Sequence, residues 1–177
     1  MNDQDLQKRF TKITDEAMGG ETLLNMGIRD RMQLMAKVGR AIMREGISPF
    51  FMAAIVTAHD VVFPATVIGD DKHKDAVERG IVELANKLNA QCVIFVTEAW
   101  GAKTTAADAD RGLRPSLDPR RKEFLVVVAK DFFTHLYGMQ RINRTKKGIE
   151  FEELEITPTS SSWLDQWEVK PAATTSC

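Results

Sequence analysis

The sequence predicts an α+β fold, a mostly antiparallel sheet with amphipathic helices packed on it, plus a C-terminal tail. Three observations predict it. The runs Cys92–Val96 and Phe124–Ala129 are apolar at consecutive rather than alternate positions, the mark of strands buried on both faces of a covered sheet. The first ninety or so residues hold three stretches with helical spacing of apolar residues. Strand-length pieces then follow one another as a largely antiparallel run, an α+β layer arrangement.

Taken in order, Leu6, Phe10, Ile13 and Ala17 share one helical face, and Gly19-Gly20 ends that helix. After an irregular stretch, Asp30 followed by Gln33 reads as a capping box. Met35, Val38 and Ile42 then form the buried stripe of a second helix, and Gly46 its C-terminal cap. Arg31, Lys37, Arg40 and Arg44 fall on or beside its other face and read as a solvated basic surface. A hairpin is expected with strands near Phe51–Ala58 and Val61–Ile68, joined at His59-Asp60. A third helix buries Val77, Ile81, Leu84 and Leu88, and Gly80 within it suggests close packing on the sheet.

The central strand Cys92–Glu98 leads into a polar loop from about Ala99 to Arg121, and the central strand Phe124–Ala129 follows. A strand around His135–Ile142, a hairpin tip at Asn143–Gly148 and a return over Ile149–Ile156 complete the sheet. The return strand changes parity. Ile149 and Phe151 share one face while Leu154 and Ile156 share the other, and a bulge near Glu152-Glu153 would bring both pairs to the core. The expected organisation is a single domain over residues 1–157, with 1–28 as a helical extension and 158–177 as a linker and tail. In that tail Trp163, Leu164 and Trp167 lie on one side of a helical turn and form a candidate docking surface, for the chain's own sheet or for a partner.

At 177 residues, 44% hydrophobic and 28% charged, the composition is that of an ordinary globular domain, which excludes a disordered chain or a disulfide scaffold. A formal net charge of -1 excludes a polyelectrolyte that coats nucleic acid indiscriminately. Cys92 inside an apolar strand and Cys177 in the tail make poor disulfide partners and lack metal-ligand spacing. The N-terminal run Met1–Leu6 shows no secretory pattern, so a cytoplasmic location is expected, the host cytoplasm for a viral protein. The apolar stretch Ile47–Gly69 approaches spanning length, but His59-Asp60 at its centre and Pro64 after it disfavour a membrane helix.

Phosphate-binding, dinucleotide, zinc-protease and nucleophile-elbow motifs are absent from the sequence. That shifts the expectation away from an enzyme, and no cofactor is expected. The weak metal candidates are His59, Asp60 and His73, alongside Asp70 and Asp71. Glu98, beside Trp100 at a sheet end, is the weak catalytic candidate, since partial burial could raise its pKa toward general-acid use. Together with His59, Asp60 or His73 it would suit a small hydrolase or phosphodiesterase. The bland reading of Glu98 is an ion pair with a basic residue of the loop.

Charge is the stronger signal. From Arg111 to Lys147 ten Lys and Arg stand against three acids, a local charge of +7, and Gly148–Glu168 holds acids but no Lys or Arg. One explanation is cross-strand neutralisation of the basic hairpin by its acidic return strand. A sharper one is an anion site built from Arg111, Arg114, Arg120 and Arg121, with Trp100 as a stacking surface. Arg141, Arg144, Lys146 and Lys147 at the hairpin tip would serve a nucleic-acid binder, the less favoured alternative.

The run Val96-Thr97-Glu98-Ala99-Trp100, followed by Arg114-Pro115-Ser116-Leu117-Asp118-Pro119-Arg120-Arg121-Lys122-Glu123 and the apolar strand, resembles a pattern in small uncharacterised α+β proteins of phages and bacteria. It spans roughly the middle third of the chain. The resemblance implies Glu98, Trp100, Pro115 and Asp118–Arg121 as a signature, a prokaryotic or viral setting, and no catalytic role. The overall expectation is a non-catalytic binding protein that recognises an anionic, nucleotide-like small molecule or an acidic protein surface. A homo-oligomer is expected because short helices and a hairpin leave sheet faces to cover.

Overall fold

The two apolar runs become the middle of a seven-stranded, wholly antiparallel sheet. The computed structural model describes residues 3–47, 50–64, 71–101 and 121–159. Along the chain come α1 (Asp3–Met18), α2 (Ile28–Arg44), β1 (Phe51–Val56), β2 (Val61–Val62), α3 (Asp71–Lys87), β3 (Cys92–Gly101), β4 (Lys122–Asp131), β5 (His135–Thr145), β6 (Gly148–Phe151) and β7 (Glu155–Pro158). The sheet order is β2-β1-β3-β4-β5-β6, with β7 also paired to β5. β3 and β4 pair in register from Cys92↔Asp131 to Gly101↔Lys122, so both extend past the apolar runs.

Helices cover both faces. On one, Cys92, Ile94 and Val96 of β3 and Leu125, Val127 and Ala129 of β4 meet Met35, Val38 and Ile42 of α2. On the other, Val93, Phe95, Val126 and Val128 meet Ile81 and Ala85 of α3. This two-sided burial is why β1 and the runs Cys92–Val96 of β3 and Phe124–Ala129 of β4 are apolar at consecutive positions, whereas β5, covered on one face, alternates in burial. It also removes the reason for expecting a homo-oligomer, because the chain's own helices cover both faces of the central strands. Ile13 of α1 and Leu23 belong to the same core.

Several local expectations change. α2 starts at Ile28 behind Gly27, without a side-chain cap, so Asp30 lies in the first turn and favours the positive helix end instead of forming a capping box. Its C-terminus is as expected. Gly46 is left-handed (φ 77°), and the amides of Gly46 and Ile47 donate to Met43 and Ile42. α3 stops at Lys87 because Asn89 takes the left-handed cap position (φ 50°), which leaves Leu88 partly exposed and passes its burial role to Ala85. A Cβ on Gly80 would meet no described atom within 4 Å. Gly39 of α2 is instead the glycine pressed on the sheet, where a Cβ would lie 2.8 Å from Val96 Cγ1.

The β1–β2 hairpin forms, with Thr57–Asp60 as its turn and β2 at Val61–Val62, and positions 65–68 of the expected second strand lie outside the described residues. In the return strand the parity slip is a bulge. Between the pairs Ile142↔Phe151 and Met139↔Glu155, Gln140 and Arg141 face three residues, 152–154. Ile149, Phe151, Leu154 and Ile156 consequently all pack on the α2-side core.

Candidate functional site

Past the reach of α2, the same face of the sheet turns polar. β3 continues from Val96 to Glu98 and Trp100, β4 from Leu125 to Glu123, and β5 from Ile142 to Arg144. The register sets Trp100, Glu123, Ile142 and Phe151 in one row across β3–β6, with Glu98 diagonal to Glu123. Cross-strand neighbours of this kind are close enough for side chains to interact.

Glu98 and Glu123 are 6% and 7% exposed, and Arg144 serves both. Its Nε donates to Glu123 Oε2 at 2.8 Å and Oε1 at 3.0 Å, its Nη2 donates to Glu123 Oε1, and Nη2 stands 3.7 Å from Glu98 Oε1. Hydrogen bonding to Glu123 is the main reason the Arg144 pKa is raised. This forked pairing is the geometry in which guanidinium and carboxylate bind best. Glu98 thus makes an ion pair, and the base shown here is Arg144 of β5, a strand residue where a basic residue of the loop was expected. Glu123 was not singled out from sequence, and its partner lies twenty-one residues away on another strand.

Trp100 is 44% exposed, and the Arg121 guanidinium lies 4.7 Å from its ring centroid. Of the anion-site candidates these two come together. Arg111, Arg114 and Arg120 lie outside the described residues, as do Trp163, Leu164 and Trp167.

The hydrolase combination is not assembled among the described side chains. His59 and Asp60 occupy the β1–β2 turn, where Thr57 Oγ1 accepts from both their amides and Asp60 Oδ1 accepts from Val61 N at 2.7 Å. That turn lies beyond the Val56↔Cys92 pair. Six strand steps from Cys92 to Glu98 separate it from the carboxylate by roughly 20 Å. The side chain of His73 lies outside the described residues. Among the described residues no three His, Cys, Asp or Glu could hold a metal ion. Cys92 is buried, and desolvation pushes its thiol up to about 11, the opposite of an activated nucleophile.

At the hairpin tip, Lys146 and Lys147 project from a two-residue turn closed by the Thr145↔Gly148 pair. Arg141 pairs with Glu152 at 3.3 Å and Arg144 with Glu123, so two of the four bases proposed for nucleic acid are neutralised within the sheet. The acidic return strand accounts for the first pairing, and β4 supplies the second.

These elements define a three-layer α+β protein with a polar, arginine-bearing end to its sheet. No family model, no curated protein and no solved structure gives a significant match to the chain. No helix among the described residues is long and apolar enough to cross a membrane.

Proposed function

We propose that this is a non-catalytic binding protein whose ligand is an anionic small molecule with a flat ring, of nucleotide type, taken up where β3 and β4 leave the sheet. The observation that carries the reading is the half-exposed Trp100 ring with the Arg121 guanidinium stacked 4.7 Å from its centroid. An aromatic face offers stacking and a guanidinium offers a fork to phosphate. Engagement of Glu98 by Arg144 favours recognition over acid–base chemistry. A cytoplasmic setting goes with this reading, supported by the free thiol of Cys92.

Calorimetry with nucleosides and their mono-, di- and triphosphates tests it. Binding is expected for phosphorylated members and should weaken about tenfold or more in Trp100→Ala and Arg121→Ala, the loss that goes with one stacking or charged contact. No response from the wild type, or unchanged affinity in both variants, would sink the proposal. Affinity for single-stranded nucleic acid that collapses with salt and depends on Lys146 and Lys147 would support the alternative.

A further inference from the structure

A second cationic site lies on the other side of the Glu123–Arg144 pair. Gln33, Lys37, Arg40 and Arg44 recur at spacings of four, three and four along α2, so they line one flank of the helix. That flank faces the bulge of the return strand. Between them is a cleft of about 450 Å³ lined by Gln33, Arg40, Arg44, Gln140, Phe151, Glu153 and Leu154. Its size falls within the usual span of small-ligand pockets.

The arginines in this cleft lack the carboxylate partner that several other bases have. Arg9, Lys37, Arg141 and Arg144 each have a carboxylate partner, Glu45, Glu21, Glu152 and Glu123 respectively. Among the described residues Arg40 and Arg44 have none. Arg40 Nη1 donates to the neutral Gln140 Oε1 at 3.1 Å, and the Arg44 guanidinium lies 5.4 Å from the Phe151 ring centroid. Gln140 is itself buried, and its Nε2 donates to the Glu152 carbonyl in the bulge, so it cannot swing away from Arg40 without leaving that carbonyl unpaired. Arg40 and Arg44 themselves stand four residues apart on α2, one turn from each other on this flank. Burial, and then the charge of Arg44, lower the Arg40 pKa. Such repulsion is relieved by an anion between them, and Glu153 at the rim makes no ion pair with either among the described residues.

We infer that this cleft binds the phosphate-type oxyanion of a small molecule between Arg40 and Arg44, with Phe151 and Leu154 against its apolar part. Two guanidinium forks match a tetrahedral oxyanion. Phe151 is in the same row as Trp100 but three strands away, roughly 14 Å, so the site is separate from the one formed by Trp100 and Arg121.

Phenyl phosphate serves as the probe, with benzyl alcohol as its neutral counterpart, both titrated calorimetrically into the full chain. Saturable binding of phenyl phosphate alone is expected, weakened about tenfold in Arg40→Gln and in Arg44→Gln. Lys87→Gln in α3, on the opposite face, should change affinity less than about twofold. Arg44 is exposed, so its variant remains informative if Arg40→Gln fails to fold. The inference is overturned if the wild type shows no saturable binding up to roughly 10 mM. It is equally overturned if Arg44→Gln binds as the wild type does or if Lys87→Gln weakens binding to the same degree. Loss confined to Trp100→Ala would assign the probe to the other site and refute this one.

Discussion

Arg144 closes a fork on Glu123 across β4 and β5 and reaches Glu98 on β3 from the same guanidinium, so one half-exposed cation serves two nearly buried carboxylates. Removing the cation leaves the nearly buried Glu123 carboxylate uncompensated and takes one partner from Glu98, which costs more than an exposed ion pair is worth. Arg144→Met is expected to destabilise by on the order of 1–3 kcal/mol, below the range for fully buried pairs because Arg144 remains half solvated. The double variant Glu123→Leu/Arg144→Met should recover the part of that loss due to Glu123, since an apolar pair avoids its desolvation cost, while the part due to Glu98 remains. Urea denaturation of the three proteins checks this, and a stable Arg144→Met would show that the pair has no structural role.

Gln140 joins α2 to the bulge, accepting from Arg40 and donating to the Glu152 carbonyl. Glu152 N in turn donates to Arg141 O at 3.0 Å, which satisfies the bulge on its other side. Gln140→Leu fills similar volume but leaves the carbonyl without its donor, at about 1–3 kcal/mol. Hydrogen exchange should then speed up in β6 and β7 while β3 stays protected. Uniform loss of protection across the sheet would mean that Gln140 supports the whole fold rather than the bulge.

The two helical glycines should respond to alanine with opposite signs. At Gly39 the new methyl would stand 2.8 Å from Val96 Cγ1, 3.1 Å from Leu125 Cδ1 and 3.3 Å from Phe50 Cζ, all in the core. Overpacking of about 1–3 kcal/mol outweighs the roughly 1 kcal/mol gained in helix propensity. Gly80 has no described atom within 4 Å of the added methyl, so Gly80→Ala should stabilise by about 0.5–1 kcal/mol. Thermal melts decide it, and Tm shifts of the same sign would refute the contrast.

That contrast marks the limit of what the sequence discloses. Periodicity located β3, β4 and the helical faces because burial on one or two sides writes itself into alternate or consecutive apolar residues. The bulge was legible too, since one extra residue reverses parity between Phe151 and Leu154. Which helix crosses the sheet closely was not legible, because a glycine looks the same whether it faces Val96 or open space. Partners distant along the chain were hidden for the same reason. Arg31 looked solvated, yet it is buried with Nε on Leu23 O at 2.7 Å and Nη2 on Leu24 O at 3.0 Å. Arg40 finds Gln140 a hundred residues away, and Glu98 finds Arg144. Of the loop's candidate site, the Trp100–Arg121 stack follows from strands extended beyond their apolar runs, a feature that composition does not mark.

Burial of Cys92 ties stability to alkaline pH. Desolvation raises its folded pKa to about 11, against about 8.5 for an unfolded thiol. The unfolded chain therefore loses its proton first as pH rises. The thiol's contribution is complete below about pH 8.5 and is lost progressively toward pH 11, on the order of 2–3 kcal/mol in total. Tyr137, also raised by burial, acts in the same direction. In a Cys177→Ser background, denaturation midpoints of the parent should fall more steeply above pH 8.5 than those of Cys92→Ala. At pH 8 the parent thiol should resist a disulfide reagent until denaturant is added. Parallel pH profiles for the two proteins, or prompt labelling of Cys92 in the native state, would contradict its burial beneath α2.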